Sequence, residues 1–166
     1  MTRLADSIIL AVIISAIGIG SCLDACGTRA EAQSRATRDE RAVAICLVAE
    51  DERGTDWPAI LGVLDRRAHE AGMSVASMAR AYCAVHRTTR PSRRQAWIRA
   101  LPHDYPSQRI REVYARAVEL VRTWDGVTPC AADHWGAATG EDHARAVRAG
   151  WVRVECASRN AFWRLP

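Results

Sequence analysis

Glu50 is the side chain that its neighbours place best for acid–base chemistry. It directly follows Ala42–Ala49, AVAICLVA, an unbroken apolar run. A helix of that composition has no polar face and belongs inside a core, so the carboxyl at its end stands against a dry wall. Burial disfavours the anion and lifts a carboxyl pKa toward neutrality, which keeps a glutamic acid protonated and able to donate to a leaving oxygen. The competing possibility is that Glu50, Asp51 and Glu52 are simply a solvated helix end, although negative charge at a helix C-terminus is electrostatically unfavourable. Other chemistries find no footing. The chain lacks a G-x-S-x-G elbow, a phosphate loop, a Rossmann glycine run and an H-E-x-x-H pair. His69, His86, His103, His134 and His143 are scattered, and only the last two are near each other. A metal site built from Cys130, Asp133, His134 and His143 follows no recognised spacing, so no metal and no cofactor are expected.

The elements that must position Glu50 are mostly helices. Thr37-Arg38-Asp39-Glu40 has capping-box spacing and opens the apolar helix, which stops between Glu50 and Gly54. Thr55-Asp56-Trp57-Pro58 starts a second helix with Pro58 in its first turn, an inward stripe of Ile60, Leu61, Val63 and Leu64, and Gly72 at its close. Ser74 caps a third, with Val75, Met78, Ala79, Tyr82 and Cys83 at helical spacing. His86–Arg94, HRTTRPSRR, reads as a loop carrying four Arg and no acid, solvated by default and substrate-contacting as the alternative. A short helix over 93–101, a break at Pro102–Pro106 and a strongly amphipathic helix from Ser107 to Trp124 follow. The last helix begins near Gly140 within 137–150, Trp151–Cys156 suits a short strand, and Asn160–Leu165 forms a docked tail. The predicted fold is mainly α, with about six helices and at most a small β element.

Composition narrows the function further. The chain has 166 residues and a formal charge of +4, and every one of its 23 basic residues is Arg. Without Lys there is no Schiff-base or phosphate-loop chemistry, and so mild a charge does not predict nucleic-acid binding. Ile8–Gly20 is an uncharged apolar run of 13 residues, short for a membrane span but suited to an export signal. Ile19-Gly20-Ser21-Cys22 resembles a bacterial lipobox. Residues 1–22 are therefore expected to be a signal, lipoprotein signal or anchor, with a buried N-terminal helix as the alternative. Residues 23–37 are expected to be a tether and 38–166 the working domain. Membrane attachment would run through the N-terminal segment or a lipid on Cys22. In an exported domain Cys46, Cys83, Cys130 and Cys156 suit two disulfides, with three pairings open. Cys46 as a buried free thiol is the alternative.

Ala42–Arg66 resembles the opening of the SleB-type spore-cortex-lytic cell-wall hydrolases, which belong to the wider lysozyme-like lytic transglycosylases. The shared residues are Ala49-Glu50, Gly54 and Asp65-Arg66, with Asp65 where that family has Asn. Gly54 lies one place late, which leaves Glu52 open, in place of Glu50, as the counterpart of that family's glutamic acid. Asp133-His134-Trp135-Gly136 and Asn160-Ala161-Phe162-Trp163 resemble the aromatic and amide segments that line the sugar groove. The resemblance implies a lysozyme-like domain at the cell envelope or in the periplasm that cuts peptidoglycan glycan strands, as a lytic transglycosylase or muramidase. Glu50 would be the catalytic acid and base, and Asp133, His134, Trp135, Asn160 and Glu52 would contact substrate. Hydrolysis would ask for a second carboxylate, for which Asp56, Asp65 and Asp133 are candidates. Of the Trp residues, Trp57, Trp97, Trp124 and Trp163 suit core packing and Trp135, in a loop, suits the groove. The alternative is a non-catalytic envelope lipoprotein or phage-derived structural module that binds glycan or a protein partner.

Overall fold

The apolar run does form the central helix. In the computed structural model, which describes residues 36–103, 107–136, 139–156 and 160–166, helix α1 spans Arg38–Glu50 and buries Ala42 through Val48 without interruption. Its start is the expected capping box, Thr37 accepting from the Glu40 amide and Glu40 accepting from the Thr37 amide. Around it stand α2 (Trp57–Glu70), α3 (Val75–Tyr82), α4 (Ala84–Arg87), α5 (Arg93–Arg99) and α6 (Gln108–Arg122), all of which touch α1. A helix that is apolar all round has to be enclosed in this way, because any face left bare would stay in water. Residues 36–166 form one compact unit.

After α6 the chain builds a small sheet of β1 (His134–Gly136), β2 (Val152–Val154) and β3 (Ala161–Arg164), with α7 (Glu141–Arg148) between the first two strands. All neighbours are antiparallel in the order β1-β3-β2, with Trp135 opposite Phe162 and Val154 opposite Phe162 on the other side. The architecture is thus mainly helical with a small β element, as predicted. Three details differ. Asn160–Leu165 is no docked tail but carries the central strand. His134–Gly136 is strand rather than loop. The basic segment begins inside α4, giving seven helices among the described residues where six were expected.

Two disulfides, Cys46–Cys83 and Cys130–Cys156, settle the pairing and exclude a free thiol at Cys46. The first ties the middle of α1 to the α3–α4 junction. The second ties the approach to β1 to the chain leaving β2. Such bonds belong to an oxidising, extracytoplasmic environment. No helix among the described residues is long and apolar enough to cross a membrane. The expected signal and most of the tether, and the end of the break at Pro106, lie outside the described residues.

Candidate active site

Glu50 is the last residue of α1, and the turn beyond it is held in place from below. Asp51 is extended (φ −148°, ψ 101°) and buried, and its carboxylate accepts from the backbone amides of Arg53 and Asp56. Burial pushes its pKa up, but these amides and Thr55 outweigh it and hold the carboxyl below its ordinary value. Trp57 closes the other side, its indole N–H donating to Leu47 O at 3.0 Å and Asp51 O at 2.7 Å. Gly54 sits at φ +82° with the Trp57 ring so close that a Cβ would lie 3.2 Å from it, so both backbone and space require glycine here.

Beside this turn, Glu50 lines an open cleft of about 460 Å³. The lining comes from Tyr82, Ala84 and Arg87 of α3 and α4, from His134, Trp135 and Gly136 of β1, and from Asp142, Arg145, Trp151 and Asn160. The Trp135 indole N–H donates to Glu50 Oε2 at 3.3 Å. Burial raises the Glu50 pKa, only partly opposed by the Trp135 bond and the charge of Arg94. Its carboxyl therefore keeps its proton to a higher pH than an exposed glutamic acid and can both give and retrieve one. Removing the opposing bond tests this account. In Trp135→Phe the Glu50 titration should move further upward, read by carbon-detected NMR of the carboxyl, and a downward move would show that the indole N–H does not restrain it.

The aromatic wall is layered. Trp151 and Tyr82 flank His134, with centroid distances of 4.8 and 5.4 Å, and Tyr82 lies 4.9 Å from Trp135. The Tyr82 hydroxyl hydrogen-bonds His134 Nδ1. Arg67 stacks over the Tyr82 ring at 4.5 Å. Burial, then the Arg67 charge, lowers the His134 pKa to about 4, so this imidazole is neutral at neutral pH. Asp142 and Arg145 form an ion pair on α7 at the same wall.

Of the predicted site residues, the cleft brings together Glu50, His134, Trp135 and Asn160. Trp135 is only 5% exposed; its contribution is the N–H bond to Glu50, and the more accessible indole is Trp151. Asn160 is fixed by Asp56, whose buried carboxylate accepts from both the backbone and side-chain amides of Asn160, at 2.8 and 3.0 Å. Glu52 and Asp133 do not line the cleft. The chain leaves α1 in an extended conformation at Asp51, so Glu52 is directed away and pairs with Arg94 at 2.6 Å. Asp133 is a structural clasp: its carboxylate takes Arg66 at 2.7 Å and the Leu165 amide at 3.0 Å, while its carbonyl takes Arg67. Among the proposed second acids, Asp65 accepts from the Trp124 indole, and neither it, Asp56 nor Asp133 reaches the cleft. No group of three His, Cys, Asp or Glu among the described residues could hold a metal. Cys130 is in a disulfide, and His143 packs on Trp163.

Sequence reasoning did not select Tyr82, Ala84, Arg87, Asp142, Arg145 or Trp151 for the site. Tyr82 was visible only as part of an apolar stripe, and Arg87 only as one of several Arg in a basic run. No family model matches the chain, and neither does any curated protein or any solved structure.

Proposed function

We propose that the chain cleaves peptidoglycan glycan strands as a lysozyme-like domain of the lytic-transglycosylase kind, with Glu50 as general acid and then base. The observation that carries this is a half-buried carboxyl with a raised pKa, opening on a cleft of about 460 Å³ walled by Tyr82, His134 and Trp151. A volume of this size suits a small segment of chain or ligand, and aromatic walls suit the apolar faces of sugar rings.

In the proposed reaction the protonated Glu50 carboxyl gives its proton to the oxygen bridging muramic acid and glucosamine, and the bond from that oxygen to the muramic C1 breaks. Positive character on C1 is then met by the muramic 6-hydroxyl oxygen. As the new C–O bond closes an anhydro ring, the Glu50 carboxylate takes the hydroxyl proton and returns to its starting state. Water takes no part, so one carboxyl suffices. Asp142, the other acid lining the cleft, is engaged by Arg145, which favours this route over hydrolysis with a second carboxylate as base. Action at the cell envelope accords with the disulfides, and attachment would run through the N-terminal segment or a lipid on Cys22.

The full chain incubated with purified sacculi should release soluble fragments whose muramic ends carry the anhydro ring, identified by mass spectrometry. Fragments with free reducing ends would replace the transglycosylase with a muramidase. Folded protein that sediments with sacculi but releases nothing would make this a non-catalytic glycan-binding module.

A further inference from the structure

The basic segment 86–94 is not absorbed by that chemistry, and its arginines are not equivalent. Arg94 pairs with Glu52, and Arg93 stacks on Trp97 at 4.6 Å. Arg87 instead lines the cleft and has no carboxylate partner among the described residues. Its backbone is pinned on both sides. The His86 Nε2–H donates to Ala42 O at 2.8 Å, the Arg99 guanidinium bonds Val85 O, and it donates to Thr88 O at 2.6 Å. The Cys46–Cys83 disulfide anchors the start of the same segment to α1. These fixings hold the Cα of Arg87 at the cleft, and its planar fork then loses less freedom per bond to a ligand than a lysine would.

The charge of the cleft points the same way. Arg145 is neutralised by Asp142, His134 is neutral, and Glu50 in its working form is protonated. Among the described residues Arg87 is then the uncompensated charge in a cleft otherwise walled by aromatic and amide groups and the Asp142–Arg145 pair. A planar guanidinium in that position matches a carboxylate by paired N–H bonds.

We propose that Arg87 is a subsite for a carboxylate carried by the glycan, so that the cleft selects acid-bearing strands over neutral sugar polymers. This rests on the glycan-cleaving function for the identity of the polymer. Two carboxylates meet the chemistry: those of the peptide stem, and the lactyl carboxylate exposed when the stem is removed.

The test is a binding measurement with full-length E50Q, in which the strands stay whole. Three probes are compared: soluble strands with intact stems, strands stripped of stems by an amidase, and strands whose carboxyls have been converted to amides. One or both acid-bearing probes should bind about tenfold more tightly than the amidated strands. Whichever of them does so identifies the carboxylate. The preference should vanish in E50Q/R87Q, survive in part in E50Q/R87K, and narrow as salt rises. Equal binding of all three probes overturns the subsite, as does a preference that survives R87Q, or a loss in R87Q that is equal for all probes. Release from sacculi combined with equal binding would remove the subsite and leave the activity. A preference without release would leave the subsite and remove the activity.

Discussion

Glu50→Gln should lower glycan release from sacculi by roughly a thousandfold, because in the proposed reaction one group supplies both proton transfers and the amide can perform neither. The same variant should fold at least as stably as the parent at neutral pH. Burial raises the Glu50 pKa in the folded state, so the folded protein binds that proton more tightly than the unfolded chain does. Any stability owed to this group is therefore present below the ordinary carboxylate value and lost as pH rises through the raised one. The Glu50→Gln substitution removes the buried anion and with it that loss, so the Tm difference between variant and parent should shrink toward acid pH. The parent's activity should likewise fall on the alkaline side as Glu50 ionises. Glu52→Gln is the matching control. Its half-exposed pair with Arg94 is worth at most about 1 kcal/mol, and release should stay within about threefold of the parent. A Glu52→Gln variant as inactive as Glu50→Gln would move the acid to the other carboxylate.

Asp56→Ala should produce the largest loss of stability among single substitutions around the site, about 3 kcal/mol, or on the order of 10 °C in Tm. The carboxylate is fully buried and accepts two bonds from Asn160, while its own amide is bound by Asp51. Truncation leaves the Asn160 amides facing a void, and a buried donor without a partner loses its full solvation. The consequence reaches the cleft, since Asn160 leads directly into β3, the strand that Trp135 pairs with. Asp56→Asn retains the volume and one acceptor and should cost about half as much. Thermal unfolding followed by circular dichroism reads both. A Tm for Asp56→Ala within about 2 °C of the parent would mean that the chain entering β3 is held by something else.

How legible this protein was depended on the length over which each signal repeats. The apolar run of α1, the Thr37 box, the Ser74 cap and the stripes of α2 and α6 are local and redundant, and the structure follows them closely. The four-residue α4 and the strands of three or four residues are too short to establish a period. Ala161-Phe162-Trp163 is buried without alternation, because Phe162 packs into the main core while Ala161 and Trp163 on the other face pack with Ala146 of α7.

At the site, the sequence alone determined that a carboxyl would end a dry helix, since the residues responsible are contiguous. It left Glu50 and Glu52 both open. Which of the two lines the cleft depends on the extended turn at Asp51, whose carboxylate is held by amides further along the chain. The sequence also left the disulfide partners open, along with the company Glu50 keeps. Tyr82, Arg87, Asp142 and Trp151 come from elements that meet only when α3, α4, the sheet and α7 close on the end of α1. That meeting is governed by three-dimensional burial, which spacing along a chain does not encode.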